Sequence, residues 1–226
     1  MSWIDNMFFA PESLTDSSGR RIMWAWILDY RDFSDRAKDQ WSGTLSLPRV
    51  LNLNKNGSLD IDVAAEVEKL RYQSFSLPPF VVQADSDARI DGTFGNSFEL
   101  IIEFDVRDAQ EFGVKVCVSR DESEYTIISY DQNAELLKVD TTNSGPEKSP
   151  KSIESAPLVL SKREKLIIRV FVDKSVIEIF ANSRQAIARR IFPEKTDSTS
   201  VKVFTKGSNV EVTKFKSWQI APSNPY

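Results

Sequence analysis

The sequence predicts an all-β protein made of two successive units. In nearly every apolar segment, hydrophobic and polar residues alternate with the two-residue period of a β-strand. Two breaks interrupt this pattern: Ser-Leu-Pro-Pro at 76–79, and a run at 141–150 that is rich in Ser, Thr, Asn, Gly and Pro. The first predicts a linker at 73–79 between a small unit at 1–72 and a β-sandwich at 80–226. The second predicts a loop within the sandwich.

The clearest strands are predicted at 98–106 and 112–119. Their even-numbered apolar residues are expected to face the core, which directs Glu99 and Cys117 outward. Cys117 is therefore expected to be an unremarkable thiol. Further strands are predicted at 125–130, 166–172, 176–181, 185–192, 201–205 and 210–220, with Asp173-Lys174 as a hairpin turn and one helical piece at 63–71.

The composition excludes several classes of function. The chain has 226 residues, and its net charge of −4 leaves no basic excess to neutralise nucleic-acid phosphates. No apolar run reaches the roughly 18–20 residues of a membrane span, so neither nucleic acid nor a membrane is expected as a partner. Histidine is absent, which removes Ser-His-Asp triads and histidine-containing zinc sites, and the single cysteine permits no internal disulfide. No cofactor or metal is expected.

The first six residues, Met-Ser-Trp-Ile-Asp-Asn, lack the basic and apolar regions of a signal peptide. If residue 1 is the true N-terminus, a cytoplasmic location is expected.

Four segments of the first unit resemble, in order, the last propeller blade of glycoside hydrolase family 32, the family of invertases, levanases and fructan hydrolases. They are Phe-Phe-Ala-Pro-Glu-Ser-Leu at 8–14, Gly-Arg-Arg-Ile-Met-Trp-Ala-Trp at 19–26, Trp-Ser-Gly-Thr-Leu-Ser-Leu-Pro-Arg at 41–49, and the run at 66–71. The segments at 171–182 and 189–193 are similar to a hairpin signature in the C-terminal β-sandwich of the same family. The resemblance therefore implies a partial propeller blade followed by a two-sheet antiparallel β-sandwich.

The resemblance also implies a reaction. Family 32 enzymes cleave β-fructosidic bonds with retention, using one carboxylate as nucleophile and a second as acid and base, and a third carboxylate binds fructose hydroxyls. The family segments that carry these three groups do not occur in this sequence. Asp5-Asn6 is not followed by proline, Cys117 follows valine rather than glutamate, and Arg-Asp at 31–32, 107–108 and 120–121 is never followed by proline. No residue is assigned as catalytic, and the chain is expected to be inactive alone.

Three aromatic residues are the candidate substrate contacts: Phe9, Trp26 and Trp41. Phe9 and Trp26 align with positions that line the fructose pocket in the family, where an aromatic ring stacks on the C–H face of a sugar. The family often has tyrosine in place of Phe9, so a hydroxyl contact is missing here. The alternative for Trp26, as for Trp24, is core packing, and for Trp41 it is packing against a neighbouring blade.

The charged candidates are interpreted as structural. Arg20, Arg21 and Arg49 are expected to form salt bridges near the junction of the blade and the sandwich. Glu178 shares a strand face with apolar residues and is expected to pair with Arg189 or Arg190 rather than to bind a sugar.

Three hypotheses for function follow. In the first, the chain works only within a complete hydrolase that binds fructose-containing saccharides, and its partners are the missing N-terminal blades or, through exposed strand edges, another copy. In the second, it is a stand-alone carbohydrate-binding or interaction module. In the third, Asp29 with Asp32 or Asp35 supports an unrelated reaction.

Overall fold

The computed structural model describes residues 7–39, 41–105 and 108–223. Asp5-Asn6, Val106 and Arg107, which were considered above, lie outside the described residues. Within the described ranges the chain is mostly β-strand and its sheets are antiparallel. This confirms the predicted fold class, a blade-like sheet followed by a two-sheet β-sandwich.

The N-terminal sheet, called the blade below, is an up-and-down arrangement of short strands. Its strands are β1 (Phe8–Thr15), β2 (Arg21–Ile27), β3 (Thr44–Leu45), β4 (Arg49–Leu53) and β5 (Leu59–Val63). Their order across the sheet is β1-β2-β4-β5, and β3 pairs with β2. Gly19 and Gly57 lie in the turns after β1 and β4 with φ of +83° and +85°, a conformation that only glycine adopts without strain.

Two helical segments flank the later blade strands. The α-helix α1 (Phe33–Asp39) lies between β2 and β3, so the prediction of only one helical piece is wrong. None of its residues is buried, and the sequence therefore carries no apolar stripe that would reveal it. At 63–71 the structure has a 3-10 helix over Ala65–Leu70, of which Val67 is buried.

The rest of the chain forms the sandwich. In chain order its strands are β6 (Arg71–Leu77), β7 (Phe80–Val82), β8 (Ser86–Phe94), β9 (Ser97–Asp105), β10 (Glu111–Val118), β11 (Thr126–Asp131), β12 (Leu136–Asp140), β13 (Ile153–Pro157), β14 (Leu166–Asp173), β15 (Val176–Ala181), β16 (Gln185–Arg190), β17 (Ser200–Lys206) and β18 (Val210–Ile220). One sheet has the order β13-β12-β11-β10-β17-β8. The other has the order β16-β15-β14-β9-β18-β6, with β7 also on β18.

Each strand predicted in the sandwich is present, with ends within two residues of the prediction. The hairpin turn is also present, one residue further on: Asp173 pairs with Val176, and Lys174 has a φ of +53°. At 73–79, where a linker was predicted, the structure has a strand over most of the segment. Most of it lies in β6, which pairs with β18, so the chain is already part of the sandwich at these residues. Pro78 and Pro79, which lack backbone N–H groups, interrupt pairing to β18 between β6 and β7.

The sandwich core lies between the two sheets. The even-numbered apolar residues of β9, and those of β10 up to Val116, are buried there as predicted; Val118 is buried but lies outside this cluster. Phe104 and Phe112 meet edge to face with ring centroids 5.1 Å apart, which joins the two sheets directly. The Tyr130 hydroxyl donates to the Leu158 carbonyl at 3.0 Å, so a polar group in this core is satisfied.

Glu99, predicted to face outward, is fully buried. Arg71 donates to both of its carboxylate oxygens, at 2.7 and 2.6 Å, and Arg169 adds a third bond at 2.6 Å. Two guanidinium groups thus replace the water that an exposed carboxylate would bind. This cluster connects the start of β6 to the central strands of the sheet.

Cys117, predicted to face outward as well, is buried in the core. The pairing of β10 with β17 shifts register between Lys115 and Val118, and Cys117 has a φ of +52°. This β-bulge inserts an extra residue into β10 and turns the Cys117 side chain inward.

We expect Cys117 to resist a thiol reagent such as DTNB in the native chain. Burial, with a further contribution from the charge of Glu124, raises the pKa of the thiol to about 12, so almost no thiolate is present near neutral pH. Labelling should become fast and stoichiometric in urea. Rapid labelling of the native chain at about pH 8 would contradict the inward orientation.

Candidate functional site

The two faces of the blade have different surroundings. In β2 the side chains of Met23, Ala25 and Ile27 are buried in a cluster with Ala188 of β16. The alternate residues of β2 point to the opposite face, where Trp26 is 43% exposed. The predicted aromatic contact on β2 therefore lies on the face that the sandwich does not cover, called the open face below.

Phe9 and Trp26 lie together on the open face. They are directly opposite each other in the β1–β2 pair, and Phe9 is 47% exposed. The segment before β3 supports the Trp26 indole, because a Cβ at Gly43 would overlap its ring nitrogen and Gly43 has a φ of +75°. Only glycine fits at this position, so the tryptophan is held in place while one side remains accessible.

Glu12 joins this pair through an irregularity in β1. The register shifts by one residue between Phe9 and Glu12, which places Glu12 opposite Trp24, and Ala10 within the bulge has a φ of +46°. Simple alternation along β1 would put Glu12 on the other face. Sequence reasoning missed this exposed carboxylate beside the aromatic pair, and a bulge at Ala10 is not encoded in the alternation pattern.

Trp41 lies elsewhere. It contacts the guanidinium of Arg190, whose Cζ is 4.9 Å from the centre of the indole ring. It also lines a shallow, open depression beside α1, called the α1 depression below, which is formed by Phe33, Arg36, Ala37, Trp41 and Ser42. The three predicted aromatics therefore occupy two separate places, the open face and the junction with the sandwich.

Asp29 is enclosed by cations. Its side chain is inaccessible, Arg31 Nη2 lies 2.7 Å from Oδ2, and Arg190 Nη2 lies 3.9 Å from the same oxygen. Burial acts to raise the pKa of Asp29, but the hydrogen bonds from Arg31 outweigh it and hold the pKa below its usual value. An ionised, enclosed carboxylate can neither donate a proton nor reach a substrate.

Asp35 has a simpler environment, since an exposed hydrogen bond to Lys38 at 2.9 Å lowers its pKa. The geometry therefore contradicts the hypothesis that Asp29 acts with Asp32 or Asp35 as a catalytic pair.

Glu178 forms a structural ion pair, as predicted, but with a different partner. Arg49 Nη2 lies 2.7 Å from Oε2, and the backbone N–H of Leu47 donates to Oε1 at 2.6 Å. Arg49 also stacks on Phe8, with its Cζ 4.0 Å from the ring centre. Burial raises the pKa of Glu178, and the charge of Arg49 opposes that shift. The ion pair joins the blade to the sandwich.

The other charged candidates bind nearby groups. Arg189 pairs with Glu154 inside the sandwich, on the other side of the sheet from Glu178. Arg20 binds Asp16 at 2.8 Å and Glu66 at 2.7 Å. Arg21 donates to Ser13 at 3.5 Å. Among the described residues, no group of three or more His, Cys, Asp or Glu side chains could hold a metal ion, and no helix there is long and apolar enough to cross a membrane.

Comparison with known families gives two matches in sequence order. The family described as "Glycosyl hydrolases family 32 N-terminal domain" matches residues 1–61, and "Glycosyl hydrolases family 32 C terminal" matches residues 66–219. The chain is 28% identical over 224 residues to the sucrose-6-phosphate hydrolase of Zymomonas mobilis, covering 96% of this chain and 42% of the relative. It is 31% identical over 206 residues to the sucrose-6-phosphate hydrolase of Staphylococcus xylosus, and this match covers 88% of this chain and 39% of the relative.

The levanase of Bacillus subtilis is 28% identical over 228 residues, and the match covers 95% of this chain and 33% of the levanase. The chain thus spans less than half the length of these curated relatives.

Solved structures show the same fold. Fructan 1-exohydrolase IIa from Cichorium intybus superposes with a TM-score of 0.89 at 22% identity, covering 96% of this chain and 49% of that one. Sucrose-6-phosphate hydrolase from Lactobacillus gasseri superposes with a TM-score of 0.74 at 20% identity, and the match covers 94% of this chain and 41% of that one. With one family profile spanning 66–219 and its N-terminal companion spanning 1–61, the chain belongs to glycoside hydrolase family 32.

Proposed function

We propose that this chain is the C-terminal region of a β-fructofuranosidase-like hydrolase, and that the intact enzyme hydrolyses β-fructosidic bonds in sucrose or fructans. The observation that carries the proposal is the order of the two family 32 matches along one chain, on a blade and a sandwich that pack together. The relatives are by name sucrose-6-phosphate hydrolases and a levanase, which supports fructose-containing saccharides as the substrate class.

Within such an enzyme, the open face supplies binding rather than bond cleavage. Phe9 and Trp26 present adjacent, half-exposed rings on which the C–H face of a fructosyl unit stacks. Glu12 offers carboxylate oxygens that accept hydrogen bonds from sugar hydroxyls. Contacts of this kind orient the substrate for carboxylates carried by the other blades.

The chain alone is proposed to be non-catalytic. Retaining glycosidases need two carboxyl groups roughly 5–5.5 Å apart, one of which has a raised pKa and donates a proton. Among the described carboxyl groups with shifted pKa values, only Glu178 is raised, and it is 3% exposed and bonded to Arg49. A carboxyl group in that position cannot contact a glycosidic oxygen.

The purified chain is therefore expected to release no fructose from sucrose or from levan. The measurement is an enzymatic fructose assay over the range of about pH 4 to about pH 8, where carboxylate-based glycosidases operate. A family 32 hydrolase with known activity serves as the positive control. Reproducible turnover by the purified chain would overturn the proposal that the catalytic groups lie on other blades.

The partner in the intact enzyme is proposed to be the rest of the propeller. The open face and the blade edges carry exposed apolar side chains, among them Leu14, Leu45 and Leu53, of which Leu45 is 71% and Leu53 77% exposed. Strand β1 pairs only with β2 among the described strands, which leaves one edge free. Exposed apolar side chains beside a free edge favour association, either with neighbouring blades or with a second copy.

One observation favours the alternative of a stand-alone carbohydrate-binding module. The sandwich has its own continuous core between its two sheets, so that unit does not depend on missing blades for burial. A stand-alone module would bind fructans with the same affinity whether or not other blades are present. Calorimetric titration with levan oligosaccharides, before and after addition of those blades, separates the two functions.

A further inference from the structure

The α1 depression lies apart from the Phe9–Trp26 pair. Two aromatic rings border it, and both are unusually accessible for a folded chain: Phe33 is 77% exposed and Trp41 is 47% exposed. Large apolar side chains placed together at a concave surface commonly mark a binding site.

One side of Trp41 contacts the sandwich through Arg190 of β16. The Arg190 guanidinium that contacts its ring is itself buried, stacks on Phe192 with Cζ 5.2 Å from the ring centre, and lies 3.9 Å from Asp29. A buried cation with these neighbours fixes the orientation of the indole. One side of the Trp41 indole is therefore against Arg190, and its remaining surface lines the depression.

Arg36 supplies the polar group. Its Nε atom is buried without a hydrogen-bond acceptor, and its Nη1 makes a long 3.4 Å bond to the Ser42 hydroxyl. No carboxylate forms an ion pair with Arg36 in the described ranges, whereas Arg20, Arg31 and Arg49 all have one. The Nε atom is enclosed, so a ligand would be bound through the two Nη groups. A guanidinium beside two aromatic rings suits a ligand with an apolar face and hydroxyl oxygens.

We propose that the α1 depression is a second saccharide-binding site, separate from the Phe9–Trp26 pair, and that it binds a neutral sugar unit. The sugar ring stacks on Trp41 and Phe33, and its hydroxyl oxygens accept hydrogen bonds from Arg36 and Ser42. This inference rests on the proposed function for its substrate class.

The local charge favours a neutral sugar over a phosphorylated one. Residues 29–39 contain four aspartates, at 29, 32, 35 and 39, against three basic residues, at 31, 36 and 38, a net charge of −1. The Arg190 guanidinium against Trp41 adds one positive charge and makes the balance even, so the depression has no excess positive charge with which to bind a phosphate, and hydroxyl groups need none.

The test is a titration of the full chain with a neutral fructose-containing trisaccharide, followed by calorimetry and by tryptophan fluorescence. Phe33→Ala and Arg36→Met are expected to weaken binding by about three- to tenfold, the range for losing one aromatic or charged contact. The matched controls are Phe94→Ala, which removes a 61% exposed ring, and Arg89→Met, which removes an exposed guanidinium on β8. Both controls should bind like the unaltered chain.

Several results would overturn the inference. If Phe9→Ala abolishes binding while Phe33→Ala and Arg36→Met do not, the α1 depression is not a subsite and the proposed function is untouched. Tighter, Arg36-dependent binding of sucrose 6-phosphate would show that the ligand is anionic. If Phe33→Ala weakens association with a polypeptide carrying the other blades and leaves the saccharide titration unchanged, the surface is a protein contact. Absence of binding at about 50 mM trisaccharide, a concentration that detects even millimolar affinity, would also overturn it.

Discussion

Glu178→Gln is expected to lower the free energy of unfolding by about 3–5 kcal/mol, the usual cost of removing one partner of a buried ion pair. The substitution keeps the shape of the side chain and the acceptor for the Leu47 N–H, so it removes little besides charge. Arg49 then remains fully buried, with its Nε and Nη1 already lacking acceptors and no carboxylate at Nη2. Because the pair joins blade to sandwich, both units should lose stability together in urea unfolding.

Removing the other partner of the ion pair, by Arg49→Met, is expected to change how the free energy of unfolding depends on pH. It leaves the Glu178 carboxylate buried without its cation, and burial raises the pKa of that group above the unfolded value of 4.5. A folded state that binds the proton more tightly gains stability as pH falls through the raised pKa. Losing the charge of Arg49 raises this pKa further, so the deficit of Arg49→Met relative to the unaltered chain should shrink between about pH 8 and about pH 5. Glu178→Gln removes the titrating group, so its deficit should not shrink as pH falls.

Two further variants complete this test. The double variant Glu178→Leu with Arg49→Met should recover part of the lost stability, because an apolar pair of similar volume needs no charge compensation. The recovery is incomplete because the Leu47 N–H loses its acceptor. Asp35→Asn removes a carboxylate from an exposed ion pair and should leave the unfolding midpoint unchanged. If Glu178→Gln behaves like Asp35→Asn, the ion pair does not hold the blade on the sandwich.

The sequence predicts the sandwich well because most of its strands have one buried face. The even-numbered residues of β9 and β10 show a two-residue alternation that a half-buried strand requires, and the structure buries them. Glu99 and Cys117, which were predicted to be exposed, are buried for separate reasons. Glu99 lies on the face opposite the core, where Arg71 and Arg169 bind and neutralise it. A bulge turns Cys117 inward. Neither feature alters the local pattern of residue types.

The candidate site is harder to predict because its contacts are distant in sequence. The partner of Glu178 is Arg49, 129 residues away, and sequence reasoning favoured the neighbouring strand instead. Strand geometry alone shows that Arg189 cannot be the partner of Glu178, since Arg189 lies opposite Ile177 and its side chain points to the other face. The α1 depression escaped notice because α1 has no buried residue and thus no periodic signal.

Adding the other propeller blades is expected to produce the largest functional effect, from no activity to measurable turnover. The open face would then be covered in part by a neighbouring blade, and the catalytic carboxylates would approach the Phe9–Trp26 pair. Association of this chain with the other blades should require that the Arg49–Glu178 ion pair keeps its own blade packed on the sandwich. Glu178→Gln should therefore reduce the yield of active complex more than Asp35→Asn does. The readout is the rate of fructose release at fixed concentrations of both polypeptides.

The most direct test of the central claim is fructose release from sucrose and from levan by a mixture of this chain with a polypeptide that carries the other blades. We predict activity in the mixture and none in either component alone. A mixture that co-elutes as one complex in gel filtration yet releases no fructose, or a chain that is fully active by itself, would contradict the account.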